Sequence, residues 1–383
     1  MFEIDHKWFS RTENEYGWDV YPLGNKYFSG RLYNGIGGII WLLSKLNENG
    51  YNVDPAKTNI QEGFKFIQSE ISANLNNISH SFYFGKAGYA VIFSEGIRSG
   101  FVSDTQEIRQ TIYECLMHPA TNFDLIYGMA GQGLALIQCK DYLKQSDFLP
   151  LLNKFSNSII EGQQKDGSWV KANTLNNKRE KISGFGYGIA GITYFLFECG
   201  QQFNNSESIA AAEKGLQFLL RGIKRKANHY EWATSNHNKA IGTWWCNGAP
   251  GIALTFLKAF EITQNCFYKE IAEKALNINP INLVSPTLTQ CHGLSGLGEI
   301  YLEAYKITKN TKWWEAATWI ANLVINFKKN PSPETVCWLD ERNSFATADL
   351  MTGNSGIIHF LTRYSSPGQI SFPLLPTTKT ITL

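Results

Sequence analysis

Hydrophobic positions in this chain follow a helical spacing that restarts after a recurring pair of glycines. The pair has the form Gly-x-x-Gly, and an apolar run with hydrophobic residues three to four positions apart follows each copy. Several of these runs lack a wide polar face, which is typical of buried helices. Seven copies, 43 to 60 residues apart, begin at Gly35, Gly85, Gly128, Gly188, Gly248, Gly293 and Gly353. A period of this size indicates a repeat architecture.

A second kind of helical run lies between the glycine pairs and is more amphipathic, which favours an outer position. Examples are residues 55–71, 103–116, 146–160, 206–223 and 311–327. Each unit would be an outer helix, a loop carrying the glycine pair, and an inner helix. The first glycine is expected to allow a tight turn and the second a close helix approach. The sequence therefore predicts an all-α fold, an α/α toroid of seven helix pairs; an open superhelix is the alternative geometry.

The amino-acid composition limits the classes of protein to which this chain can belong. The repeats extend along almost the whole chain, so residues 1–383 are interpreted as one domain with a large core, given 43% hydrophobic residues. The net charge is +2 and the charges are spread out, so no nucleic-acid surface is predicted, and residues 221–226 are read as a solvated helix end. No apolar run reaches the roughly 18 residues of a membrane span, and no signal peptide is expected.

The seven cysteines are an odd number and are scattered, which favours a reducing compartment over a disulfide framework. We therefore expect a cytoplasmic protein. Three of them, Cys115, Cys139 and Cys199, lie in apolar helical segments and are interpreted as small core residues.

Two other cysteines carry a different signal. Cys246 and Cys291 each stand two residues before the first glycine of a pair, and His292 follows Cys291 directly. Equivalent positions in a toroid face the same end of the ring, so the three side chains should converge. Two thiolates and one imidazole suit a catalytic Zn²⁺, whose fourth position stays open for substrate. The alternative interpretation is two core thiols and an unrelated histidine.

Two further residues are placed at the same rim. Asp124 lies four residues before Gly128, and Tyr187 lies directly before Gly188. Each has a structural alternative: Asp124 could cap a loop or helix, and Tyr187 could be an aromatic side chain packed against its neighbours.

These strings resemble the lanthionine cyclases of the LanC type over nearly the whole chain. The matching motifs, in order, are residues 32–38, 245–251, 291–293 and 350–356. The chain is also similar to the cyclase domain at the C-terminus of the bifunctional LanM lanthipeptide synthetases. The resemblance implies a double ring of helices in which Cys246, Cys291 and His292 hold Zn²⁺, with Asp124 as the family's aspartate beside the third glycine motif.

The resemblance also implies an activity and its partners. A peptide cysteine bound as thiolate adds to dehydroalanine or dehydrobutyrine and closes a (methyl)lanthionine ring. The substrate would be a dehydrated precursor peptide, and a separate dehydratase could be a partner. One departure stands out, since family members usually carry histidine where this chain has Tyr187. Tyrosine, with an ordinary pKa near 10, can donate a proton but is a poor base at neutral pH.

Other functions remain open at this stage. A zinc enzyme that adds another thiol, such as glutathione, to dehydrated residues would keep the same ligands. A non-catalytic peptide-binding scaffold is the alternative from another class, and the missing histidine favours it slightly. A prenyltransferase, which also pairs a toroid with a zinc-bound thiolate, is more distant.

Overall fold

Helices dominate the computed structural model, which describes residues 29–172, 179–277, 287–339 and 346–376 and four short strands before them. The helices in this part of the chain are α1 Ile36–Glu48, α2 Lys57–Asn74, α3 Lys86–Arg98, α4 Gln106–Leu116, α5 Met129–Gln138, α6 Gln145–Glu161, α7 Ile189–Phe203, α8 Ser206–Arg221, α9 Ala249–Thr263, α10 Cys266–Leu276, α11 Leu294–Thr308, α12 Thr311–Asn326 and α13 Asn354–Ser365.

Strands form only two-stranded antiparallel hairpins in the described residues. They are β1 Glu3–Ile4 with β2 Lys7–Trp8, β3 Glu13–Asn14 with β4 Gly17–Trp18, β5 Lys171–Ala172 with β6 Arg179–Glu180, β7 Lys224–Arg225 with β8 Tyr230–Glu231, and β9 Lys329–Ser332 with β10 Thr335–Cys337. None of the described helices is both long and apolar enough to cross a bilayer.

The odd-numbered helices form a closed inner ring. Each begins directly after the first glycine of one motif, each contacts the next odd-numbered helix, and α13 contacts α1. Each of α2, α4, α6, α8, α10 and α12 packs against the inner helix that precedes it. The predicted α/α toroid is confirmed, and the open superhelix is not. In the described residues, six outer helices accompany the seven inner ones, so the seventh helix pair stays a prediction, as does the single domain over residues 1–383.

Burial explains which run became inner and which outer. In α7, every residue from Ile189 to Gly200 is buried, because the helix has neighbours on all sides. In α8, burial is confined to one face, with exposed residues between the buried ones. Helical runs without a polar face therefore form the inner layer and runs with a polar face form the outer layer, as the sequence predicted.

The turns between inner and outer helices share a local device in three repeats. It occurs at the ends of α7, α9 and α11. The residues that cap these ends, Asn204, Gln264 and Lys309, have the left-handed backbone conformation. The next residue is in each case an asparagine whose side chain caps the following outer helix. Such caps satisfy backbone amides that a helix leaves free at its start.

The glycine loops close on themselves by one repeated hydrogen bond. In all seven, the first backbone amide of the inner helix donates to the carbonyl seven residues earlier, as from Met129 to Asn122 at 2.9 Å. This tight loop leaves no room for side chains: a Cβ at Gly128 would overlap the backbone at Asp124, and one at Gly131 would overlap the Leu125 carbonyl. Gly128 itself has ordinary extended backbone. Its requirement is therefore space rather than the special turn conformation expected from the sequence.

The end of the ring opposite these loops is closed by charge pairs. The residues ten positions after the first glycines are Lys45, Glu95, Gln138, Glu198, Lys258, Glu303 and Arg363. Neighbours on adjacent helices form ion pairs: Lys45 with Glu95, Glu198 with Lys258, and Glu303 with Arg363. The C-terminal segment lies against this end, since the Leu374 carbonyl accepts a hydrogen bond from Gln138 at 3.2 Å. We call this surface the far end.

Candidate metal centre

The residues two positions before each first glycine are linked around the ring by their backbones. Six hydrogen bonds of this kind join neighbouring loops in the described residues: Tyr33 to Tyr83, Ile126 to Gly186, Gly186 to Cys246, Cys246 to Cys291, Cys291 to Met351, and Met351 to Tyr33, each from amide to carbonyl. Their lengths are 2.8 to 3.3 Å. The loops therefore form a rigid rim in which the two predicted cysteines are direct neighbours.

The three predicted metal ligands meet at this rim. The sulfurs of Cys246 and Cys291 and a ring nitrogen of His292 all lie within 4.8 Å of one another. Zn²⁺ binds thiolate at about 2.3 Å and imidazole at about 2.0–2.1 Å, so atoms this close can share one ion. Cys291 is 1% exposed and Cys246 8%, while His292 is half-buried. The donor set, its burial and its one more open side fit a zinc site that admits a further ligand.

The pKa of the Cys246 thiol distinguishes this cysteine from those in the core. All seven cysteines are free thiols. Cys115, Cys139 and Cys199 are fully buried in the core, which confirms that interpretation, and burial raises the pKa of Cys115 and of Cys139 to about 12. The pKa of Cys246 is instead lowered, chiefly by the hydrogen bond with Cys291 and, against the effect of burial, by the charge of His292. The environment of Cys246 thus favours the thiolate form that a metal requires.

A row of four aromatic rings runs along the rim beside this cluster. Tyr33 stacks on Phe84 with ring centres 4.6 Å apart, Phe84 stacks on Tyr127 at 5.2 Å, and Tyr127 lies 6.0 Å from Tyr187. The Tyr33 hydroxyl is within hydrogen-bonding reach of the Cys291 thiol. Burial, and then the neighbouring thiol, raise the pKa of Tyr33 well above its usual value. We call these four rings the aromatic row; it leads from the cysteines to Tyr187.

Asp124 lies at the other end of the aromatic row, where it is held from two sides. One carboxylate oxygen accepts the backbone amide of Tyr127 at 2.6 Å. The other lies 3.3 Å from the ammonium nitrogen of Lys171 on β5. The loop-capping role weighed for Asp124 is therefore confirmed, whereas its catalytic role stays a prediction. The ring of Tyr187 packs beside Tyr127 and Lys171, and its catalytic role stays a prediction as well.

Two residues of this region were missed by sequence reasoning. Tyr33 was noticed only as part of a matching motif, although it shares its repeat position with both cysteines. That shared position is a signal that could have found it. Lys171 lies outside every glycine loop and reaches Asp124 only because a short hairpin folds over the rim. No spacing in the sequence indicates that contact.

Solved structures with this ring of helices include proteins of different chemistry. One is described as nisin cyclase: it is 19% identical, the alignment covers 91% of each chain, and the TM-score is 0.70. A GH76 alpha-mannanase from Bacteroides thetaiotaomicron matches with a TM-score of 0.51 at 12% identity, over 87% of this chain and 86% of that one. At these identities the likeness concerns the fold alone.

The sequence family is more decisive than the fold. The family described as "Lanthionine synthetase C-like protein" matches residues 28–377, which include every inner helix and all three clustered donors. A match of this extent covers most of the chain. The protein belongs to the lanthionine synthetase C-like family.

Proposed function

We propose that this protein is a zinc-dependent lanthipeptide cyclase, with Cys246, Cys291 and His292 as the metal ligands. The observation that carries the proposal is the cluster itself, whose three donor atoms lie within 4.8 Å of one another on adjacent loops. A bound Zn²⁺ would promote the deprotonation of a substrate cysteine at neutral pH. A free thiol, with a pKa near 8.5, is mostly protonated at that pH. Membership of the family supports the same reaction.

The chain's own residues would provide the remaining steps. Addition of the thiolate to the β-carbon of a dehydrated residue forms an S–C bond and moves the π electrons into an enolate. The enolate then takes a proton at the α-carbon, and we assign Tyr187 as the donor. Asp124 is buried and already accepts a backbone amide, so we assign it an orienting role.

The aromatic row supports a peptide as substrate. It runs from Tyr33, beside Cys291, to Tyr187, and Tyr127 within it is exposed. Aromatic faces offer apolar contact area for an extended chain and for the flat, conjugated side of a dehydrated residue. We therefore propose a dehydrated precursor peptide as the partner bound along this row, supplied by a separate dehydratase.

The test uses a synthetic peptide that contains one cysteine and one dehydroalanine. Ring closure leaves the mass unchanged but removes the free thiol, so mass spectrometry after thiol alkylation counts the rings. We expect alkylation to disappear with the protein and to persist without it. The Cys291→Ala variant controls for spontaneous addition.

Two other outcomes would point elsewhere. With glutathione present, a mass increase by one glutathione per dehydroalanine, and no loss of the peptide thiol, would make the protein an enzyme for an external thiol. A peptide that binds but keeps both its thiol and its mass would indicate a non-catalytic scaffold. Either result would contradict the proposed cyclase.

A further inference from the structure

Lys171 occupies a particular place between two of the proposed catalytic residues. Its ammonium nitrogen lies 3.3 Å from the carboxylate of Asp124 and 5.6 Å from the ring centre of Tyr187. It also lies 5.4 Å from the ring centre of Tyr127. The Asp124 carboxylate is fixed by the loop amide, so it holds the ammonium in position beside the phenol ring.

The ammonium group of Lys171 lies at a cavity that opens to solvent and not into the core. Asp124, Lys171 and Tyr187 line a cavity of about 160 Å³ between the third and fourth glycine loops. The Asp124 side chain is 4% exposed and that of Lys171 is 32% exposed. A molecule that enters the cavity would therefore meet the ammonium and the phenol before the carboxylate. Gly186, the residue before Tyr187, donates its backbone amide to the Cys246 carbonyl at 2.8 Å, so Tyr187 stands on a loop that adjoins the metal cluster.

We propose that Lys171 is a positioning residue that makes Tyr187 an effective proton donor, an inference that rests on the proposed function. When Tyr187 gives its hydroxyl proton to the α-carbon, the O–H bond breaks, the new C–H bond forms and a phenolate remains. A phenolate without a counter-charge in a half-buried site is costly. The ammonium beside the ring stabilises it until the phenolate takes a proton back from water. Asp124 acts on the same step by holding Lys171.

This arrangement explains how a tyrosine can serve at the position where members of the family usually carry histidine. A tyrosine donor needs no prior ionisation, but it leaves a negative charge where a protonated histidine would leave none. A cation beside the ring is the chemical complement that this exchange requires. Lys171 supplies that cation from a segment outside the glycine motifs.

The test begins with Lys171→Met, which keeps most of the side chain and removes the charge. We expect kcat for ring closure to fall by about tenfold or more, as part of the about 10²–10⁴-fold that a general acid contributes. KM and zinc content should stay near those of the unmodified protein. Lys171→Arg keeps the charge and should restore most of the rate.

Lys181→Met is the matched control. Lys181 leads out of the same hairpin, is similarly exposed and also pairs with an aspartate, Asp166, but it contacts Phe218 rather than Tyr187. Its loss should leave kcat unchanged. Equal effects of Lys171→Met and Lys181→Met would overturn the proposal, because they would reflect a general change of charge or folding.

A double-mutant cycle with Tyr187→Phe decides how Lys171 acts. If it acts through the phenol, Lys171→Met has no further effect once the hydroxyl is gone, so the two changes are strongly non-additive. Additive losses would show that Lys171 acts on the substrate directly, against the proposal. If the unmodified protein closes rings and Lys171→Met closes them at the same rate, only this inference fails. If the unmodified protein closes none, the proposed function fails with it.

Discussion

The ring of inner helices ends in two different surfaces, although both are built from equivalent positions of one repeat. At the metal end, positions two before the glycine carry two tyrosines, two cysteines, an isoleucine, a glycine and a methionine, and backbone hydrogen bonds join them along the rim. At the far end, six of the seven positions ten after the glycine carry charges, which pair between neighbouring helices. The far end satisfies its own charges, whereas the metal end leaves donors that suit an external ion.

The comparison shows how one repeat can separate stability from chemistry. At the far end, Glu299 and Arg363 are almost fully buried and pair at 2.7 Å, so each charge is compensated within the fold. At the metal end, the donor atoms of Cys246, Cys291 and His292 converge within 4.8 Å of one another, an arrangement that suits an external cation. Changes at the two ends should therefore separate function from folding, and four experiments test this from the largest expected effect to the smallest.

The largest effect is expected from Cys291→Ala. The change removes one of three donors, so zinc content should fall from near one equivalent per chain to near zero, and ring closure should be lost. Elemental analysis and the alkylation assay measure both, while circular dichroism should remain helical. Cys266→Ala removes an exposed thiol at the start of α10 and serves as the control. Full zinc retention in the Cys291 variant would refute the ligand assignment.

Tyr187→Phe should come next. It removes the proposed proton donor but keeps the ring in the aromatic row, so the closure rate should fall by about 10²–10⁴-fold with zinc content unchanged. Tyr187→His should preserve or raise the activity, since histidine titrates near neutral pH. A Phe variant with the parent's rate would remove Tyr187 from the mechanism and leave a water oriented by Asp124 as the donor.

At the far end, Arg363→Met should act on folding instead. It leaves the buried Glu299 with His359 alone and the half-buried Glu303 with Lys306 alone, so the loss should approach the about 3–5 kcal/mol that breaking a buried pair costs. Denaturant unfolding should report this loss, with zinc content per folded chain unchanged. Lys65→Met breaks an exposed pair with Glu62 and should cost only about 0–1 kcal/mol. Similar losses in the two variants would contradict the special role of the buried pairs.

Acid should weaken the ion pairs of the far end. Burial alone would raise the pKa of Glu303, but the charges of Arg363 and then Lys306 lower it to about 2. A carboxylate with a depressed folded pKa stabilises the fold above its unfolded value near 4.3, and this contribution is lost as pH falls toward 2. At about 1.4 kcal/mol per pKa unit, the loss is at most about 3 kcal/mol. Unfolding free energies at pH 6 and pH 3 measure it, and Arg363→Met should flatten the difference.

The sequence predicted the ring and the metal cluster because both depend on the glycine period. Counting back two residues from Gly248 and Gly293 places Cys246 and Cys291 at equivalent positions, and closure of the ring makes them neighbours. The charge pairs of the far end follow the same period, so counting forward ten residues would have found them. What could not be predicted is the contact of Lys171 with Asp124, 47 residues apart, because it depends on how a hairpin folds over the rim.

The hydrogen-bonded rim gives the protein a set of equivalent positions at which a ligand side chain can be placed. Backbone hydrogen bonds of 2.8 to 3.3 Å hold equivalent positions of six pairs of neighbouring loops together, whichever side chains they carry. A pair of cysteines placed on another two adjacent loops would inherit almost the same separation. Such a fold can move its reactive centre around the circle, or carry a second one, without redesigning its core. For protein engineering, this means that the backbone of the rim determines where the metal ligands lie. The designer then chooses only which side chains serve as ligands.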